Sequence, residues 1–294
     1  MLRVWVLAAR PATLPAALSG VVVGIGAALG VGGSFRVDTA LGCIAVALLL
    51  QVVANFANDL SDFRRGADTP DRSGPTRVTA AGLVTERQLE LAIALTIGIA
   101  GVIGLWLAYV GGPVLLALGV LAVVAALAYT GGPWPYGYRA LGEVFVFIFF
   151  GLVAVIGTAY LQVLRLEPLF VAASIPAGAL ITAILVVNNL RDIPTDRAAG
   201  KRTLAVMVGV RGTLIEYALL LVVSFAIPIA LAVAGRSPWV LMPLISMPMA
   251  VTLLVAARGF AEPRQLNPVL KGTARLSLVF GVLFAVGLAL SVPT

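Results

Sequence analysis

Residues 168–202 read PLFVAASIPAGALITAILVVNNLRDIPTDRAAGKR. No charged residue interrupts the run from Pro168 to Leu190. About 20 such residues cross the hydrocarbon core of a bilayer as a helix. In lipid every backbone polar group needs a partner within its own segment, so the run reads as a membrane helix. Polarity then returns abruptly in Asn188-Asn189-Leu190-Arg191-Asp192-Ile193-Pro194-Thr195-Asp196-Arg197, followed by Lys201 and Arg202. Asn188, Asp192 and Asp196 recur every four residues, close to one helical face. Pro194 is expected to kink or break the helix there.

A second apolar run, over residues 38–57, ends the same way. It passes into Asn55-Phe56-Ala57-Asn58-Asp59-Leu60-Ser61-Asp62-Phe63-Arg64-Arg65-Gly66-Ala67-Asp68-Thr69-Pro70-Asp71-Arg72. Asn55, Asp59 and Asp62 are spaced i, i+4, i+7, and Asn58 precedes Asp62 by one turn. If the helix continues this far, these side chains crowd onto neighbouring parts of one face.

Extending the reading along the chain gives nine candidate membrane helices, over about 12–30, 38–57, 88–109, 113–130, 141–162, 168–190, 214–234, 238–257 and 273–292. The composition agrees: 61% of residues are hydrophobic and 11% charged, against about 25% charged in a soluble domain. A transmembrane barrel would instead show short alternating segments. The expected fold is an all-α integral membrane protein, residues 1–294 forming a single domain. Seventeen of the 20 Lys and Arg fall on one side of this arrangement, leaving Arg36, Arg165 and Arg236 on the other. The positive-inside rule then puts the N-terminus in the cytoplasm and the C-terminus outside. Both acidic stretches follow even-numbered helices and open to the cytoplasm. Acids contribute little to orientation, so their clustering there needs another cause.

What is missing narrows the chemistry. The chain has no histidine and one cysteine, Cys43, inside an apolar run. Histidine acid–base catalysis, histidine or thiolate metal clusters and an internal disulfide are all excluded. The N-terminal segment is not read as a signal peptide, because Arg10-Pro11 interrupts it. Two facing sets of carboxylate and amide oxygens suit Mg²⁺, which binds through a few carboxylates together with substrate phosphates. Nearby Arg and Lys would take the remaining phosphate oxygens. Metal and cations together stabilise a departing diphosphate. The residues thus point to ionisation of a prenyl diphosphate, with Mg²⁺ as cofactor.

At these residues the chain resembles the UbiA superfamily of membrane prenyltransferases, and within it the MenA family of 1,4-dihydroxy-2-naphthoate polyprenyltransferases. Four segments carry the resemblance: Ala9-Arg10-Pro11-Ala12-Thr13-Leu14-Pro15-Ala16; Asn58 to Asp68; Tyr129-Thr130-Gly131-Gly132-Pro133 with Tyr136-Gly137-Tyr138; and Asn188 to Asp196. The resemblance implies nine helices around a central cavity in the plasma membrane. It implies transfer of a polyprenyl group from polyprenyl diphosphate to 1,4-dihydroxy-2-naphthoate with loss of carbon dioxide, in menaquinone biosynthesis. Position by position, Asn58, Asp62, Asp192 and Asp196 become the Mg²⁺–diphosphate residues, with Asp59 and Asp68 next to them. Asp62, Asp192 and Asp196 are the expected catalytic acids. Many members of the superfamily place an acid where this chain has Gly66, and Asp68 stands two residues further on.

Other residues keep two readings. Arg10 either sets topology at the entry to the first helix or reads the acceptor carboxylate or the diphosphate. Tyr129 either packs or lines the pocket, and Arg139 either binds diphosphate or sits at the surface. Arg191 faces either substrate or lipid headgroups. Arg72, Arg77 and Lys201 bind either phosphate or anionic lipid. Asn188 is expected at the substrate. Glu143, in a first helical turn, reads as a complement to the helix dipole. Membrane lipid is an expected partner and nucleic acid is not. Two rival readings remain at this point. One is a related enzyme with another aromatic acceptor, such as 4-hydroxybenzoate. The other is a secondary transporter with ion-binding broken helices.

Overall fold

A computed structural model describes residues 2–66, 74 and 77–292. Asp68, Asp71 and Arg72 lie outside the described residues. Among these residues the protein is built of helices, without strands. The helices are α1 (Leu2–Ala9), α2 (Leu14–Leu29), α3 (Val37–Arg64), α4 (Glu86–Gly111), α5 (Pro113–Ala128), α6 (Gly142–Val146), α7 (Ala154–Val163), α8 (Pro168–Ala198), α9 (Leu204–Val233), α10 (Met247–Arg258) and α11 (Leu266–Ala289). A π-helical stretch, Phe147–Val153, fuses α6 and α7 into one span, and a 3₁₀ stretch, Pro238–Ser246, leads into α10. Eight described segments are long and apolar enough to cross a membrane. Pro113–Ala128, at 16 residues, is shorter, and each of the nine apolar stretches read from the sequence maps onto one of these elements. The protein is a multi-pass membrane protein.

Local chemistry explains where the helices start. Thr85 caps α4 by accepting from the Gln88 amide, with Gln88 returning the bond. Thr203 accepts from the Val206 amide and starts α9. This sets the start of α9 at Leu204, ahead of the 214 expected from hydropathy. Gly209, at φ 69°, breaks its first turns from the remainder. Basic residues likewise delayed the expected start of α11 to 273, whereas the helix begins at Leu266.

The helix ends matter more for function. α3 continues through the first acidic stretch to Arg64, and α8 through the second to Ala198. Pro194 sits inside α8 without ending it. α8 stops instead at Gly200, at φ 71°. There the Gly200 amide donates to the Arg197 carbonyl and the Lys201 amide donates to the Asp196 carbonyl at 2.8 Å. This pair of bonds is the Schellman arrangement, which favours glycine at its left-handed position. Its consequence is that Lys201 folds back over Asp196.

α8 is the most buried of the spans and packs against α2, α9 and α11. Phe170, Leu180, Val187, Phe280 and Phe284 form the main core around it. α2 and α11 approach so closely that a Cβ on Gly26 would overlap the Ala285 backbone. Without a hydrophobic force between helices in lipid, small residues at such contacts permit the close packing that holds helices together.

Candidate active site

Both acidic stretches reach one cavity of about 730 Å³. Its polar end carries Asn58 and Asp62 from α3, Asn188, Asp192 and Asp196 from α8, and Arg77, Tyr138 and Lys201 from the loops. The rest is mainly apolar, with Ile97, Leu105, Leu116, Val120, Val123 and Phe149 among its walls.

Lys201 joins the two motifs. Its Nζ donates to Asp62 Oδ1 at 3.1 Å and stands 3.8 Å from Asp196 Oδ1. The same ammonium lies over the Tyr138 ring, 4.7 Å from the centroid. Asp62 is only 2% exposed. It also accepts from Arg77 Nη2 at 2.6 Å and from the Tyr138 hydroxyl at 2.7 Å. Burial, and then the neighbouring Asp62 carboxylate, push the Tyr138 phenol well above the usual tyrosine range. Tyr138 therefore remains a donor. The Arg202 amide donates to the Tyr138 carbonyl, tying its loop to the end of α8. Asn58 is fixed by Thr130, whose hydroxyl donates to its Oδ1 at 2.9 Å.

Several expected site residues are placed otherwise. Asp59 is buried but faces away from the cavity. Its Oδ2 accepts from the Val78 amide and its Oδ1 from the Thr79 amide, at 3.0 and 3.1 Å. Both carboxylate oxygens are thus engaged in holding the loop that delivers Arg77 to Asp62. Arg191 also turns away. It is 2% exposed, grips both oxygens of Asp192 at 2.7 Å, and donates to Asn188 Oδ1 and Asn267 Oδ1 at 2.9 Å. The expected contact of Arg191 with substrate or headgroups gives way to a buried clamp that orients Asp192 and Asn188. Arg139 is exposed and stacks over Trp134, 4.9 Å from the ring centroid, outside the cavity lining. Arg10 and Tyr129 do line the cavity.

Tyr138 and Thr130 join the site without being singled out by the sequence, although both lie in a segment that carries the resemblance. Glu143 stands in the first turn of α6, as expected of a dipole complement, but does more. Glu143 is buried and accepts from Asn189 Nδ2 at 2.8 Å, fixing a carboxamide that lines the cavity.

The donor set is oxygen-rich and lacks histidine and thiolate ligands, which suits a hard cation. Among the described residues no three acids converge closely enough to hold a metal unaided. A cation nevertheless already bridges the motifs, in the form of the Lys201 ammonium. The arrangement fits an ion that takes one or two carboxylates and completes its shell with waters and phosphate oxygens.

Residues 17–279 match the UbiA prenyltransferase family. The chain belongs to this family. Among relatives of this UbiA prenyltransferase is the 1,4-dihydroxy-2-naphthoate octaprenyltransferase of Mycobacterium tuberculosis, 41% identical over 285 residues, covering 97% of this chain and 96% of the relative. The Escherichia coli protein of the same name is 36% identical, with 98% and 96% covered. A solved UbiA homolog from Aeropyrum pernix superposes with a TM-score of 0.72 at 18% identity, over 91% of this chain and 96% of that one. A UbiA homolog from Archaeoglobus fulgidus bound to DMAPP and Mg²⁺ gives a TM-score of 0.65 at 15% identity, over 96% and 99%.

Proposed function

We propose that this UbiA-family enzyme transfers a polyprenyl group from polyprenyl diphosphate to 1,4-dihydroxy-2-naphthoate, with loss of carbon dioxide, to give demethylmenaquinol. Residues 1–294 act as one transmembrane domain. The observation that carries the reading is the convergence of Asp62, Asp192 and Asp196 with Arg77 and Lys201 at the polar end of an otherwise apolar cavity. The full-length relatives named for the naphthoate reaction support the acceptor.

Asn58, Asp62, Asp192 and Asp196 would hold Mg²⁺ with the diphosphate. Bound there, the ion would neutralise charge on the leaving diphosphate. Arg77 and Lys201 supply further positive charge at the same end. Tyr138 and Arg77 hold Asp62, Arg191 holds Asp192, and Thr130 holds Asn58, so the oxygens are oriented before substrate arrives. The apolar walls receive the prenyl chain and keep water from the allylic cation. Leu105, Leu116 and Val120, on α4 and α5, line the cavity and are exposed, so this side of the cavity would give a long prenyl tail a path into lipid. The basic excess beside both motifs supports a polar end that opens at the cytoplasmic face of the plasma membrane.

The electron-rich naphthoate ring attacks the allylic carbon. Loss of carbon dioxide from the attacked carbon leaves no ring proton to remove there, which agrees with a cavity lacking histidine. Purified protein supplied with Mg²⁺, a polyprenyl diphosphate and either dihydroxynaphthoate or 4-hydroxybenzoate tests the reading. Prenylated naphthoquinol is expected. Consumption of 4-hydroxybenzoate instead would overturn the acceptor, and absence of diphosphate release with either would overturn the activity.

A further inference from the structure

Below the diphosphate end, one wall of the cavity carries Thr13, Gln51 and Asn55. Their hydrogen bonds leave little freedom. The Thr13 hydroxyl donates to the Arg10 carbonyl at 2.9 Å. Its oxygen accepts from Gln51 Nε2 at 3.1 Å and from Asn55 Nδ2 at 3.0 Å. A hydroxyl has one donor and two acceptor positions, so Thr13 is saturated. Asn55 Nδ2 also donates to the Ala9 carbonyl at 2.9 Å. Reversing the Asn55 amide would set its oxygen against that carbonyl, and the Gln51 amide must face Thr13 with its N–H because the threonine proton is already given to Arg10. Both carboxamides are therefore held with nitrogen toward Thr13. Neither carboxamide oxygen has a protein donor among the described residues, and both side chains line the cavity.

The two oxygens form a site for donors. A prenyl chain has no O–H or N–H, and neither does an ionised diphosphate. The aromatic acceptor is the substrate that brings hydroxyl donors. Position agrees: Asn55 and Gln51 precede Asp62 on α3 by seven and eleven residues, or about 10 and about 16 Å along the axis. Both therefore line the cavity beyond the carboxylate end, on the side that the prenyl chain and the ring would share in the proposed reaction. Arg10 lines the cavity beside them.

We infer that Gln51 and Asn55, aligned by Thr13, form the subsite that receives the ring hydroxyls of the aromatic acceptor and selects a dihydroxylated ring. The inference rests on the dihydroxynaphthoate reading. The two are neutral acceptors, so they orient the ring and leave its protons in place.

The test is a cycle between residue and ligand. Inhibition constants against the acceptor are measured for 1-hydroxy-2-naphthoate and 4-hydroxy-2-naphthoate, beside KM for dihydroxynaphthoate, in the parent enzyme and in Gln51→Met. Gln51→Met is expected to weaken dihydroxynaphthoate about 10-fold, the effect of one hydrogen bond, and to leave the analogue lacking the partner hydroxyl within about twofold. KM for the polyprenyl diphosphate should stay within about twofold, which also reports an intact fold. Thr13→Val should give the same selective loss and Thr13→Ser should restore it. An equal loss for all three aromatic ligands, no loss, or a rise confined to the diphosphate KM would overturn the subsite. If the parent enzyme prenylates dihydroxynaphthoate and the cycle shows no coupling, only this inference falls. If the parent enzyme does not use dihydroxynaphthoate, the functional reading fails and takes the subsite with it.

Discussion

Replacing Tyr138 by Phe removes one hydroxyl and little else, since the ring stays under the Lys201 ammonium. That hydroxyl donates to Asp62 Oδ1 at 2.7 Å, the same oxygen that Lys201 approaches at 3.1 Å. A hydrogen bond to a charged group contributes about 1.5–3 kcal/mol, which corresponds to about 10-fold to 150-fold in an equilibrium or rate constant. Removing groups that orient a metal-binding carboxylate costs about 10–100-fold in metal affinity or activity. The expected result is therefore a fall of about 10–100-fold in kcat/KM for prenyl diphosphate, relieved in part by raised Mg²⁺. Steady-state kinetics over a Mg²⁺ series reads both numbers. The pH dependence follows from the raised phenol. A phenol shifted upward keeps its proton, and its stabilising bond, at every pH below the ordinary tyrosine value near 10, and loses it only as pH climbs through the higher folded value. The parent-to-variant ratio should therefore stay flat from about pH 6 to about pH 9. A variant within about twofold of the parent at limiting Mg²⁺, or a ratio that collapses within that range, would refute the idea that Tyr138 holds Asp62 for the metal.

Two other substitutions separate clamps from ligands. Arg191→Ala leaves the Asp192 carboxylate buried without its bidentate partner, and is expected to cost about 3–5 kcal/mol, seen as a lowered Tm in detergent as well as lost turnover. Asp59→Asn removes one of two carboxylate acceptors for the Val78 and Thr79 amides. It should loosen the loop that carries Arg77, lower kcat/KM and speed limited proteolysis near residue 78, while leaving the Mg²⁺ requirement unchanged.

Much of the arrangement can be read from the chain, and the failures have physical causes. Apolar length identified the spans but cut α3 at 57 and α8 at 190, because hydropathy ends where polarity begins while the helix runs on. Gly66 and Gly200, both at positive φ, were the better stop signals. Helical spacing grouped Asn58 with Asp62, and Asn188 with Asp192 and Asp196, on the cavity. It did not separate Asp59 from them, since one residue around α3 is enough to move a carboxylate from the cavity to the Val78–Thr79 loop. Nor did it reveal that Arg191 serves Asp192. Tyr138, Arg77 and Lys201 meet Asp62 from loops 76, 15 and 139 residues away in sequence, a convergence created by the tertiary arrangement of those loops around the end of α3. Arg139 looked suited to phosphate by charge and position, yet Trp134 holds it outside.

Asp62 and Asp196 are proposed to act together in holding Mg²⁺ and the diphosphate. The most direct test of this joint role is Mg²⁺-dependent thermal stabilisation by a non-hydrolysable polyprenyl diphosphate analogue, compared across the parent, Asp62→Ala and Asp196→Ala, with turnover measured beside it. Mg²⁺-dependent stabilisation is expected in the parent, with its loss in both variants and no turnover in either, insertion and folding being preserved. Retained Mg²⁺-dependent binding, or substantial turnover, in either variant would contradict the joint role.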